Sequence, residues 1–277
     1  MAEEIDSKTL LTPATTPSSI GEDVRFLVPS SSATTRTPKR KWYKQYRPPY
    51  AMLVISIIEL IVYLSTSEDE HKLLRYDPTK QKEAWRFVTY MFLHNSVYHI
   101  ILNIIIQCMF AIILEKNQGS VRVGILYFGG GATGALGAGC LRPDLVVGAS
   151  AGVYALLISH LSHIILNFDT TKNKLWSVLA VIIIVLSDVG YSIVHAQNKD
   201  DPLISEGAHI AGAVSGFLLG LLLYKSNDKN SKSRNRLAFW FALVMFTVLI
   251  CTLLFINFQI KRCTPFSSLK VSYVYLC

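Results

Sequence analysis

Seven apolar runs divide the chain, at residues 49–65, 98–114, 121–141, 146–168, 175–194, 203–224 and 237–260. Charged residues are nearly absent inside the runs and collect between them. Crossing the hydrocarbon core of a bilayer takes about 20 mostly apolar residues, with about 17 as the lower bound. Each run therefore predicts a membrane helix. The first two sit near the bound, which predicts that one of them is short and tilted or re-entrant. The expected fold is all-α, a polytopic helical membrane protein.

Composition agrees with this reading. Of 277 residues, 51% are hydrophobic and only 17% charged, and the formal net charge is +8. Where the positive charge lies explains it. Arg36, Lys39, Arg40, Lys41, Lys44 and Arg47 precede the first run, and Lys225, Lys229, Lys232, Arg234 and Arg236 follow the sixth. Lys116 and Arg122 follow the second run, and Lys172 and Lys174 the fourth. With these four segments in the cytosol, the loops after runs three and five keep only Arg142 and Lys199. The expected orientation is N-terminus cytosolic and C-terminus outside, so the excess charge reflects membrane topology, not nucleic-acid binding. Residues 1–48 are rich in Ser, Thr and Pro and predict a disordered cytosolic tail. Residues 49–260 form the seven-span domain and 261–277 a short outer tail. Cys108, Cys140 and Cys251 lie in spans without metal-ligand spacing, so no metal or cofactor is expected; Cys263 and Cys277 either pair or stay free.

Polar residues at membrane depth carry the functional signal, because hydrocarbon makes them costly. His99, Asn103, Ser150 and His209 lie in runs two, four and six, which run in the same direction. Counting back from the cytosolic ends at 1.5 Å per residue puts His99, Ser150 and His209 at roughly 24, 25 and 22 Å. Asn103 falls a turn deeper, at roughly 18 Å. One layer thus holds the parts of an acyl-transfer site. A serine hydroxyl becomes a nucleophile when a histidine takes its proton, and amide or imidazole N–H groups can hold the resulting oxyanion. The count finds no carboxylate to complete a triad at this depth, which leaves a Ser–His dyad. Intramembrane carboxylates are scarce, and Glu59 in the first run is the main exception; it either snorkels or pairs with a neighbouring helix.

Small residues offer a second explanation of the same stretches. Gly148 and Gly152 flank Ser150, and Gly212, Gly216 and Gly220 follow His209 on one helical face. Such faces let helices approach closely. If the two glycine faces meet, Ser150 and His209 come within bonding distance, with Tyr154 one turn below and stacked on the imidazole. Packing and chemistry both remain open on the spacing alone.

At these residues the chain resembles the rhomboid family of intramembrane serine proteases, over residues 50–260. "GASAG" is similar to the family's nucleophile motif, implying Ser150 as nucleophile and Gly148 as the small residue before it. "AHIAGAVSG" resembles the motif of the base, implying His209. "HNSVYHIILN" resembles the motif that implies His99 and Asn103 as oxyanion stabilisers. Trp85 and Arg86 match a Trp–Arg pair that shapes the first outer loop, and Tyr154 matches a tyrosine stacked on the histidine. Ala151 departs from a glycine found in many members. The resemblance implies a six-helix rhomboid core plus a C-terminal seventh transmembrane helix, as in the secretory-pathway class of animals. It also implies transmembrane substrates, such as single-span growth-factor precursors, and residence in the Golgi, endosome or plasma membrane. A catalytically silent adaptor for transmembrane clients is the alternative, and a channel using His99 and His209 as a proton path a weaker one.

Overall fold

The computed structural model describes residues 48–141, 145–196, 205–227 and 232–263. Of the expected tails at 1–48 and 261–277, residues 1–47 and 264–277, and with them Cys277, lie outside the described residues, and α9 continues through residues 261–263. Nine helices are found among the described residues: α1 (Tyr50–Ser65), α2 (Glu68–Leu74), α3 (Arg86–Thr89), α4 (Val97–Gln118), α5 (Ser120–Leu141), α6 (Ser150–Leu166), α7 (Lys174–Ala196), α8 (Glu206–Leu223) and α9 (Lys232–Cys263). Of these, α4, α5, α7, α8 and α9 are long and apolar enough to cross a membrane, and α1 and α6 are shorter apolar helices of 16 and 17 residues. The chain is an all-α, multi-pass membrane protein.

Of the two runs near the length bound, the first forms the short helix α1 and the second does not; the fourth run also forms a short helix, α6. Helix α4 reaches 22 residues because it continues past its apolar run through Glu115, Lys116, Asn117 and Gln118. Glu115 is buried there and serves α1: Ala51 N–H and Met52 N–H donate to its two carboxylate oxygens at 3.0 and 2.9 Å, and the Ser120 hydroxyl donates to it as well. A carboxylate at a helix N-terminus meets both the orphan donors and the positive end of the dipole. Helix α6 is short for a different reason. Its run starts at Val146, but Val146 pairs in antiparallel fashion with Tyr76, and Gly148 has φ +119°. The stretch 146–149 is a non-helical strap that bends at Gly148 and Ala149, and the helix begins at Ser150.

Helices α5, α6 and α8 form the centre of the bundle. A side chain added at Gly212 or Gly216 of α8 would overlap the backbone of Ala151 or Ala155 in α6, and one at Gly134 or Gly137 of α5 would collide with Ala151 or with α8. Gly220 faces Ser159 and Ser162 of α6. The α6 side of this contact is made by Ala151 and Ala155; Gly152 turns instead toward Met91 and Tyr127, and Gly148 lies in the strap. The expected meeting of two glycine faces is therefore a glycine face on an alanine face. Around this centre, α7 and α9 are almost wholly exposed, as helices bordered by lipid are.

Helix α1 buries Met52, Ile55, Ser56 and Glu59, one face at helical spacing. Glu59 is fully buried and pairs with its neighbours: Gln107 Nε2 and Tyr127 OH each donate to it at 2.8 Å.

The close approach of α6 and α8 yields a stability prediction. Gly216→Ala must push the helices apart and is expected to cost about 1–3 kcal/mol, as overpacked cores do. Gly124→Ala meets nothing within 4 Å and is expected to be neutral or stabilising by up to about 1 kcal/mol. Thermal unfolding of the two variants in the same detergent compares them, and equal melting temperatures would contradict the packing account.

Candidate active site

Three helix N-termini come together at one end of the bundle. Ser96 caps α4 by accepting the His99 N–H at 3.2 Å, so His99 lies in the first turn. Ser205 caps α8 by accepting from Ala208 N–H, which places His209 at the fourth helical position. Ser150 is the first residue of α6, with no side-chain cap. Each N-terminus presents backbone N–H groups without intrahelical partners and a partial positive charge. Such an end favours negative charge that develops on a bound group.

The side chains meet across these ends. His209 Nε2 lies 2.8 Å from Ser150 Oγ. The Tyr154 ring stacks on the imidazole with centroids 4.6 Å apart and planes inclined by 22°. On the far side of the ring, His209 Nδ1 lies 3.4 Å from Asp188 Oδ2, and Tyr154 OH donates to that same oxygen at 2.5 Å. The serine, both rings and the carboxylate are neither fully buried nor fully exposed.

Asp188 overturns the expectation that no carboxylate lies at this depth. It sits on α7, fourteen residues beyond Lys174, roughly 21 Å along the helix. That is the layer of His209. An ionisable residue inside a span was itself the signal, and the same rise-per-residue count applied to the fifth run finds it.

His99 and Asn103 are placed beside the strap and along α4. A Cβ at Gly148 would lie 2.6 Å from His99 Cε1, so only glycine leaves room for the ring, and φ +119° also favours glycine. Asn103 is buried and its amide nitrogen donates to His99 O at 2.8 Å, which ties it to its own helix. The strap is held from the loop between α1 and α4: Gly148 N–H donates to Tyr90 O at 3.0 Å, and Ala149 N–H points at His94 Nε2, 3.5 Å away. His94, which the motif reading passed over, also packs edge-on against His99. Arg86 is buried and holds the loop, donating to Lys72 O, Arg75 O and Glu83 Oε2 at 2.8, 2.7 and 2.6 Å. Trp85 precedes it half-exposed, without a capping bond. The described residues contain no group of three or more His, Cys, Asp or Glu arranged to hold a metal ion.

Burial, reinforced by neighbouring His99, pushes the His94 imidazole down to about 3. Its unfolded counterpart takes a proton below the ordinary value of 6.5. The unfolded chain thus binds more protons across that window, and stability falls as pH drops from 6.5 toward 3. His94→Gln removes this share, so melting temperature is expected to fall less steeply with acid than in the wild type. An unchanged slope would contradict it.

The rhomboid domain family model matches residues 81–226, which contain every residue of this cluster. Among curated proteins, rhomboid-related protein 2 of Mus musculus is 33% identical over 230 residues, 76% of this chain and 75% of the relative. Rhomboid-related protein 1 of Caenorhabditis elegans is 33% identical over 204 residues, 65% of this chain and 57% of the relative. RHOMBOID-like protein 4 of Arabidopsis thaliana is 34% identical over 148 residues, 52% of this chain and 35% of the relative.

Proposed function

Because this chain belongs to the rhomboid family, we propose that it is an intramembrane serine endopeptidase with Ser150 as nucleophile and His209 as general base. The observation that carries this reading is the 2.8 Å contact between Ser150 Oγ and His209 Nε2 at the convergence of three helix N-termini.

The chemistry follows from the geometry. His209 Nε2 takes the Ser150 proton as Oγ attacks the scissile carbonyl carbon, and the carbonyl electrons move onto oxygen. That oxyanion meets the free N–H groups at the start of α6, with His99 and Asn103 as further donors. Collapse breaks the C–N bond, and the leaving nitrogen takes the proton from His209. Water then attacks the acyl-enzyme, gives a proton to His209, and the serine recovers its own as the acid product leaves. Gly148 keeps the approach clear beside His99, while Tyr154 fixes the imidazole plane. Trp85 and Arg86 belong to the loop that braces the strap, with no part in the chemistry.

The substrates of this reading are single-span membrane proteins that enter past α7 and unwind near the site, since a helical peptide bond is shielded and hydrolysis needs water. With the N-terminus cytosolic, the site opens toward the lumen or cell exterior. Cleavage there in the secretory pathway sheds outer domains, growth-factor precursors among them.

Co-expression with a tagged single-span substrate tests this. Ser150→Ala and His209→Ala are each expected to reduce released ectodomain to background at unchanged expression. Cleavage undiminished in either variant would contradict the assignment, and wild-type retention of the client without cleavage would favour an adaptor.

A further inference from the structure

We propose that Asp188 is a positioning residue that sets the tautomer and orientation of His209, and that Tyr154 holds Asp188 in place. This rests on the proteolytic reading for its consequence in catalysis, and on the geometry of the three side chains for its substance.

A base that takes a proton at Nε2 must carry its other proton at Nδ1. In this chain Nδ1 faces an acceptor, Asp188 Oδ2, at 3.4 Å. That separation exceeds a well-formed N–H···O bond, which lies at about 2.7–3.2 Å. Resting enzymes commonly hold such contacts long and tighten them when the reaction develops charge. Tightening here needs only a few tenths of an ångström, and the imidazolium formed when Ser150 gives up its proton supplies the attraction. The proton stays on His209 throughout, with Asp188 remaining ionised.

Tyr154 has two jobs in this arrangement. Its ring fixes the imidazole plane by stacking, and its hydroxyl donates at 2.5 Å to the oxygen that faces Nδ1. One oxygen thus receives a phenol from α6 and looks toward an imidazole from α8, while the carboxylate itself belongs to α7. A carboxylate placed only to join α7 to α6 would satisfy Tyr154 and would gain nothing by lying on the Nδ1 side of the His209 ring. Among the described residues, Ser150 lies on the Nε2 side of His209 and the His99 imidazole is close enough to interact with it electrostatically, and neither supplies negative charge for Nδ1. The pair is partly open, with 13% of the His209 side chain and 28% of the Asp188 side chain exposed. Solvent screening therefore keeps the effect below that of a fully buried triad aspartate.

The test uses the full chain in detergent. Asp188→Asn preserves size but can turn an N–H₂ group toward Nδ1 and favour the wrong tautomer. It is expected to lower kcat by about 10- to 100-fold, short of the ~10⁴-fold loss at a buried triad aspartate, with KM within about two-fold. Tyr154→Phe keeps the stacking and is expected to lower kcat less. Added to Asp188→Asn it is expected to cost nothing further, since the two act as one unit. Histidine ¹⁵N NMR, assigned by His209→Gln, reads the tautomer without any substrate: Nδ1–H in the wild type, with its population falling in Asp188→Asn. An unchanged tautomer in Asp188→Asn would overturn the proposal. A wild-type chain that cleaves nothing would contradict the proteolytic reading instead, and the tautomer measurement would still decide the role of Asp188.

Discussion

The rest of the structure depends on how closely α6 and α8 can approach. Hydrocarbon offers helices little reason to associate beyond packing itself, so contact has to come from backbones that nearly touch. Ala151 and Ala155 on one side and Gly212 and Gly216 on the other allow that approach, with Gly134 and Gly137 of α5 closing the third side. Ser150 sits one residue before Ala151, and His209 one turn before Gly212. Once the backbones are seated, the serine and the imidazole have little choice but to meet. The packing of α6 on α8 and the Ser150–His209 contact are thus one feature seen at two scales.

Polar groups are costly in this setting, and several of the charged ones are used to join helices and loops. Glu115 caps α1, Glu59 joins α1 to α4 and α5 through Gln107 and Tyr127, and Arg86 gathers the loop that leads to α4. Asn257 of α9 donates to Leu136 O and accepts from Gln81 at 3.0 and 2.9 Å, which ties the seventh membrane helix to α5 and to the same loop. That loop in turn holds the strap before Ser150 through Tyr76 and Tyr90. These contacts thus link α9, through the loop, to the strap that precedes Ser150. Helix α7 stands apart from them: largely exposed and packed mainly on α6, it carries Asp188 to the imidazole.

Much of this was legible from hydropathy and rise per residue. The seven apolar runs became seven apolar helices, and the count along runs two, four and six placed Ser150 and His209 in one layer. What escaped has physical reasons. Hydropathy reports burial and not backbone conformation, so it does not separate the strap at 146–149 from a first turn of helix, which the positive φ at Gly148 excludes. Small-residue spacing says which face can pack but not which alanines or glycines oppose it, so it does not distinguish Gly152 from Ala151, which makes the contact. Asp188 lies on α7, which runs against the three helices that carry His99, Ser150 and His209, so a count along those three does not reach it. His94 was hidden inside a motif read for His99.

The central claim is that His209 activates Ser150, and it can be measured without knowing any substrate. Purified full-length chain is treated with a fluorophosphonate probe, and adduct at Ser150 is quantified by mass spectrometry. Modification of Ser150 in the wild type is expected, with the rate lower by about 10²-fold or more in His209→Ala, the scale of general-base assistance. Equal labelling of Ser150 in the two proteins, or none in the wild type, would contradict the account.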